Sequence, residues 1–283
     1  MPKKQPSITR ALMEHYLTFL REQERSEATV RKYSHDLNAF LTFAGKETLS
    51  KTLMIAWKQA LTATHAPASV NSMLAAVNGY LRFFGWGALC VKPLKIQHAL
   101  FLEERKELTR AEYLRLVEAA RRKENERLAL VMQTICATGI RVSELKFITV
   151  ESLRSGRAEI RNKGKLRMVF LPGKLRKALK KYAQRQKRTA GAIFVTRTGK
   201  PLDRSNIWRD MKSLCESAGV SKEKVFPHNL RHLFARAFYA QEKDLSRLAD
   251  ILGHSSINTT RIYTAESGAV HAAQMERLGL VVT

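Results

Sequence analysis

The sequence predicts a mainly α-helical fold with a small antiparallel β-sheet, divided into two blocks, and three observations carry that prediction. Apolar residues recur at three- and four-residue intervals through most of the chain. The periodicity fails over "GALCVKPLKIQHALFLEERKE" (87–107), which carries Gly87, Pro93 and a charged end, as an interdomain connector does. Around Asn162-Lys163-Gly164-Lys165, apolar and polar residues instead alternate, the pattern of a β-hairpin with a glycine-bearing turn.

In order, the first block reads as four helices: "ITRALMEHYLTFLRE", "EATVRKYSHDLNAFLTFA", "TLMIAWKQALTA" and "SVNSMLAAVNGYLRFFGW", with Ser26 and Ser69 as N-caps. The domain boundary is expected between residues 102 and 103. The second block opens with "LTRAEYLRLVEAA", where Thr109 and Glu112 have capping-box spacing, and continues through the helical "ERLALVMQTICATGIRVSELKFI". The hairpin "RAEIRNKGKLRMVFLP" follows, "GAIFV" predicts one more short strand, and "PHNLRHLFARAFY" returns to helical spacing. Trp86, Trp208 and Tyr239 fall at helical spacing and read as core residues.

Composition narrows the function. Lys and Arg number 50 against 25 Asp and Glu, a formal net charge of +25, in a chain that is 45% hydrophobic. Such a field draws in polyanions, with nucleic acid as the leading partner. Both blocks share it: residues 1–100 carry 13 basic and 6 acidic side chains, and the remainder 37 and 19. An RNA-binding protein would need an aromatic-rich strand motif, which is lacking. The three cysteines, Cys90, Cys136 and Cys215, have neither the number nor the spacing of a disulfide framework or zinc site. The N-terminal segment has no signal-peptide core, and no apolar run reaches the ~18 residues of a membrane span. A cytoplasmic protein is expected.

His228, Arg231 and His232 crowd the head of one helical run, with His254 and Tyr263 in "LGHSSINTTRIYT" close behind. His228 and His232, four residues apart on one helix face, could share a metal with His254, but Arg231 between them would repel a divalent ion and no acidic residue nearby has ligand spacing. An anion suits the set better, since arginine forks grip phosphate oxygens and histidines add single donors. In "ATGIRVSEL" a Thr-Gly pair ends a helix and leaves Arg141 at a loop, where Glu144 could brace it. His232 itself reads as a structural hydrogen-bonding residue.

Taken in order behind a helical block, "ATGIRVSEL", "RNKGK", "HNLRH" and "LGHSSINTTRIYT" resemble the tyrosine recombinases, the family of phage integrases and Xer-type resolvases. The resemblance implies a SAM-like, four-helix core-binding domain over 1–102 and an α+β catalytic domain over 103–283. It makes Arg141 and Arg231 the phosphate-clamping arginines, Lys163 the hairpin lysine acting as general acid, with Lys165 the alternative, His228 the first histidine, able to relay or accept the tyrosine proton, His254 a further donor and Tyr263 the nucleophile. It implies a site-specific recombinase that cuts and rejoins DNA strands through a 3′-phosphotyrosyl intermediate and a Holliday junction, with no cofactor, neither metal nor ATP. Its partners would be double-stranded DNA carrying specific sites and three further copies in a homotetramer, joined by exchange of a C-terminal tail anchored by Val270, Met275, Leu278 and Leu280. Charge and architecture together make Arg31, Lys32, Lys92, Lys95, Arg204, Arg209 and Lys212 candidate phosphate contacts. A type IB topoisomerase, which uses the same residue set on one duplex, and a noncatalytic DNA-binding derivative stay open as alternatives.

Overall fold

The computed structural model describes residues 6–45, 47–96, 106–162, 165–263 and 275–278. The chain forms two compact units, Met1–His98 and Ala99–Thr283. The expected boundary at 102/103 lies outside the described residues, as do Lys163 and the tail residues Val270 and Leu280.

The first unit holds α1 (Arg10–Glu22), α2 (Glu27–Ala44), α3 (Lys51–Thr64) and α4 (Pro67–Phe83). Each buries one apolar stripe: Met13, Tyr16, Leu17 and Leu20 on α1, Val30, Leu37 and Phe40 on α2, Leu53, Met54, Trp57 and Leu61 on α3, and Val70, Leu74, Val77 and Leu81 on α4. Phe40 and Trp57 meet at its centre with ring centroids 4.7 Å apart. Ser26 caps α2 as expected, accepting from Thr29 N. Ser69 caps nothing: α4 begins at Pro67, whose fixed φ and missing N–H suit the first helical position, and Ala66 precedes it.

The start of the connector belongs to this unit. Asn78 donates to the Val91 carbonyl at 2.9 Å and accepts from Val91 N at 3.1 Å. Asn71, two turns earlier on α4, treats Leu94 the same way at 2.9 and 2.7 Å. Two side-chain amides thus stand in for the partner strand that this extended backbone lacks. Asn78→Ala would strand both polar groups of the buried Val91 and is expected to lower the stability of this unit by about 2–4 kcal/mol. Urea unfolding followed by Trp57 fluorescence checks it.

The second unit is built on α6 (Glu126–Thr138), whose Leu128, Val131, Met132 and Ile135 are buried. Against α6 pack α5 (Arg110–Arg122), α8 (Gly173–Arg185), α9 (Arg204–Lys212) and α11 (Pro227–Glu242). The capping box of Thr109 and Glu112 starts α5. Between α6 and α8 lie a 3₁₀ turn (Val142–Phe147), α7 (Val150–Ser155) and the antiparallel hairpin of β1 (Arg157–Asn162) and β2 (Lys165–Phe170), with Ile160 opposite Arg167 and Asn162 opposite Lys165. Short α10 (Cys215–Ala218), α12 (Leu245–Leu252) and α13 (Asn258–Arg261) complete the described α-helices. No described helix is long and apolar enough to cross a membrane.

Two expectations fail here. "GAIFV" is not a strand: Ile193, Phe194 and Val195 are buried, but they form only isolated bridges, Thr149 to Ala192 and Val195 to Pro201. Its backbone is satisfied by the turn into α7, with Val150 N donating to Gly191 O and Ile193 N to Ile148 O, both at 3.0 Å. Trp208 is not core either, at 48% exposure. On α9 the buried residues are Ile207 and Met211, so Trp208 turns outward, with Lys212 Nζ 5.3 Å from its ring centre. Trp86 and Tyr239 are half-buried against their cores.

Candidate active site

Arg141, His228, His254 and Tyr263 sit at or just beyond the ends of helices, where backbone polar groups are left over, while Arg231 lies inside α11. Helix α6 stops at Gly139, whose φ of +66° is the left-handed region and whose hydrogen a Cβ could not replace, since it would lie 2.5 Å from Phe234 Cδ1. Two residues on, Arg141 opens the 3₁₀ turn. Glu144, 1% exposed, accepts from Arg141 N at 2.7 Å and from its Nη1 at 3.1 Å. The same carboxylate accepts from Arg167 Nη1 at 3.1 Å and Nη2 at 2.8 Å. One buried anion between two guanidiniums fixes the orientation of both.

Arg231 is the hub. On α11, at 1% exposure, it donates to the carbonyls of Gly139 and Leu252 and from Nη2 to His254 Nε2 at 2.8 Å. It therefore binds together the ends of α6 and α12 and the residue after Gly253. Burial, then the nearby Arg141 charge, pulls its pKa down to about 10, so it stays charged at neutral pH. Its Nε is buried without a hydrogen-bond partner.

His254 accepts that bond, so its proton sits on Nδ1, which faces Thr260 Oγ1 at 2.8 Å. Burial first, then Arg231, Arg141 and Arg167, lowers its pKa to about 4. His228, in the first turn of α11, is likewise lowered to about 4 by burial and by His232, Arg231, Arg141 and Arg204. Both rings are neutral at pH 7. Tyr263, two residues beyond α13, is 4% exposed among Ala235, Leu248 and Leu252. Its ring stacks on His254 at 5.9 Å and meets His232 edge to face at 4.8 Å, and its hydroxyl lies near Arg231, whose charged form it favours.

Arg141, His228 and Arg231 share the lining of one open pocket of about 430 Å³, together with Arg204, Ser143 and Trp208. His254 and Tyr263 join them through Arg231. Five of the six expected residues thus meet in one place, and the sixth, Lys163, follows the described end of β1 outside the described residues. Among the described residues, no three His, Cys, Asp or Glu side chains are grouped to hold a metal.

The outer basic residues divide. Arg204 lines the pocket, and Arg31, Lys92, Lys95 and Arg209 are exposed. Lys32 is paired with Asp36, and Lys212 is bound to the Lys222 carbonyl and to Trp208. Sequence reasoning missed Arg167, Thr260 and the pocket wall of Trp208. Arg167 had a legible signal: it lies on the face of β2 that carries buried Val169, where alternation calls for an apolar residue.

Comparison with known proteins gives this arrangement relatives. The model of the phage integrase family matches residues 106–269, and that of the phage integrase N-terminal SAM-like domain matches residues 13–86. Tyrosine recombinase XerA of Pyrococcus furiosus is 28% identical over 287 residues, covering 98% of this chain and 97% of its own. Tyrosine recombinase XerD of Staphylococcus saprophyticus is 30% identical over 275 residues, covering 89% and 93%. Among solved structures, a lambda integrase tetramer bound to a Holliday junction shares the fold with a TM-score of 0.75 at 17% identity, over 92% of this chain and 78% of that one. XerH bound to its difH substrate gives 0.69 at 20% identity, over 97% and 85%. With matched models for both units and full-length relatives of one kind, the chain belongs to the phage integrase family of tyrosine recombinases.

Proposed function

We propose that this tyrosine recombinase cuts and rejoins DNA at specific sites with Tyr263 as nucleophile and Arg141 and Arg231 as the phosphate clamp. The observation that carries the reading is Arg231, a buried guanidinium hydrogen-bonded to His254 and set beside Tyr263, with an unpartnered Nε. A buried donor without an acceptor is costly, and a phosphate oxygen is the acceptor that fits.

The chemistry follows from charge. Attack of the tyrosine oxygen on a phosphodiester builds negative charge on the nonbridging oxygens, and fixed guanidiniums stabilise that charge without reorganising. A phosphate that engages Arg231 also favours a proton on His254 Nε2, turning an acceptor into a further donor. The leaving 5′ oxygen needs a proton, and Lys163 at the hairpin turn is the general acid of this reading. The phosphotyrosyl bond conserves the energy of the broken one, so a 5′ hydroxyl of a second strand can reverse the step on a new partner.

The same reading has four copies acting on two duplexes through a Holliday junction, each copy handing its C-terminal tail to a neighbour. Apolar side chains left in water support an assembly: Phe170 is 74% exposed and Leu166, Met168, Met275 and Leu278 are exposed as well.

A nicked suicide substrate carrying the cognate site tests the function. The chain should trap a protein–DNA adduct that survives SDS and forms equally in EDTA, because arginines rather than a divalent ion hold the phosphate. Strict dependence on added magnesium would overturn the mechanism.

A further inference from the structure

Beside Tyr263 sits a histidine to which none of these roles is given. His232 lies one turn beyond His228 on α11, and the two rings meet edge to face with centroids 4.6 Å apart. Its Nδ1 is 3.4 Å from Glu107 Oε1. Arg236, a further turn along, places Nη2 3.3 Å from the other carboxyl oxygen and donates to the Leu108 carbonyl at 2.6 Å. Burial pushes the Glu107 carboxyl up, but the hydrogen bond with His232 and the charge of Arg236 outweigh it and hold it below its ordinary range. Glu107 is therefore a carboxylate at neutral pH.

That carboxylate settles the tautomer. It can only accept, so the proton of a neutral His232 lies on Nδ1 and Nε2 keeps its lone pair. His232 Nε2 is buried and has no hydrogen-bond partner. The ring it belongs to packs against Tyr263, centroids 4.8 Å apart at 78°. Arg231, near the Tyr263 hydroxyl, is a pure donor and cannot take the phenol's proton, which remains to be given away. The ring that carries this buried, unpartnered acceptor thus packs on the ring of the buried phenol whose proton must leave.

We propose that His232, oriented by Glu107, is the base that takes the phenolic proton of Tyr263 as the tyrosine oxygen attacks phosphorus. The inference rests on the reading of Tyr263 as nucleophile. In the step, the Tyr263 O–H bond breaks and an N–H bond forms at His232 Nε2. The freed electron pair forms the P–O bond, and the P–O5′ bond breaks with its pair going to the 5′ oxygen, which takes a proton from the general acid. The imidazolium left behind faces the Glu107 carboxylate. When a 5′ hydroxyl attacks in the reverse step, His232 returns the proton to the tyrosine.

The other two histidines are worse placed. His254 Nε2 already accepts from Arg231. His228 has cations around it, Arg231, Arg141 and Arg204, and among the described residues the rings that meet Tyr263 are those of His232 and His254. The His232–Tyr263 contact is a ring contact in the DNA-free chain, and such acid–base contacts tighten into hydrogen bonds in the reactive complex.

His232→Asn tests the proposal, since its amide can still donate to Glu107 but offers no basic nitrogen. On the suicide substrate it should slow the covalent step roughly 100-fold to 1000-fold while leaving DNA affinity unchanged. Replacing Tyr263 by 3,5-difluorotyrosine, a more acidic phenol that needs less help, should recover about tenfold or more of that loss, and much less in a chain with His232 intact. A lost fold would not produce that pattern. Glu107→Gln, which keeps an oxygen acceptor but no charge, should slow the step about tenfold and respond to difluorotyrosine in the same direction.

A folded His232→Asn at the wild-type rate, or one that difluorotyrosine does not rescue, would overturn the proposal. Rescue confined to His228→Asn would assign the base to His228 instead. Failure of the nucleophile reading is a separate result: Tyr263→Phe would then keep its adduct, whatever His232 does.

Discussion

Tyr263→Phe is expected to abolish the SDS-resistant protein–DNA adduct while leaving the fold and site binding in place. The substitution removes one oxygen and almost no volume from a side chain that is 4% exposed. The ring keeps its contacts with His232 and His254 and its place among Ala235, Leu248 and Leu252. What is lost is the polar contact of the hydroxyl with Arg231, worth at most about 1 kcal/mol of net stability. Melting temperature and gel-shift affinity should therefore move little. Covalent capture on a suicide substrate should fall below detection, because phenylalanine has no atom that can bond to phosphorus. An adduct retained by the variant would move the nucleophile to another residue.

Local rules made most of the helices legible. The stripes of α1, α2 and α3 could be counted along the chain, and the capping box at Thr109 and Glu112 stands where its spacing placed it. Competition between local signals explains the errors. Ser69 is a good cap, but Pro67 two residues earlier is a better first helical residue. "GAIFV" has strand composition, yet a strand needs a partner of matching length, and residues 148–150 offer only a short one. Trp208 reads as core because aromatics at helical spacing usually are, but Ile207 and Met211 already fill the buried face of α9.

The site was legible in a different way. No single stretch distinguishes a surface arginine from a clamp, and Arg141 alone would pass for a helix-end charge. The order of four boxes carried the inference. The long-range contacts that lie behind it were not readable: Glu144 gripping Arg167 from the hairpin, Arg231 reaching the carbonyls of Gly139 and Leu252, and Glu107 on His232. Each joins residues at least 21 positions apart, as the 92 between Arg231 and Gly139 illustrate. Tertiary packing, which spacing does not encode, creates them.

The second large effect is expected at Arg231, where a distinction between charge and geometry can be measured. Arg231→Ala removes a guanidinium that is 1% exposed and leaves the carbonyls of Gly139 and Leu252 without their donors, so it should cost several kcal/mol of stability as well as activity. Its loss of adduct formation alone would be ambiguous. Arg231→Lys keeps the positive charge and much of the side-chain length, and its ammonium can still satisfy one carbonyl. It cannot serve both carbonyls, His254, Tyr263 and a phosphate at once, because it lacks the planar fork. A melting temperature within a few degrees of wild type, with covalent capture slower by about 1000-fold, is therefore expected, the range seen when a positioned transition-state donor is removed. If the lysine chain instead captures DNA at the wild-type rate, charge alone suffices at this position, and the fork of Arg231 is there to hold α6 and α12 together rather than to grip phosphate.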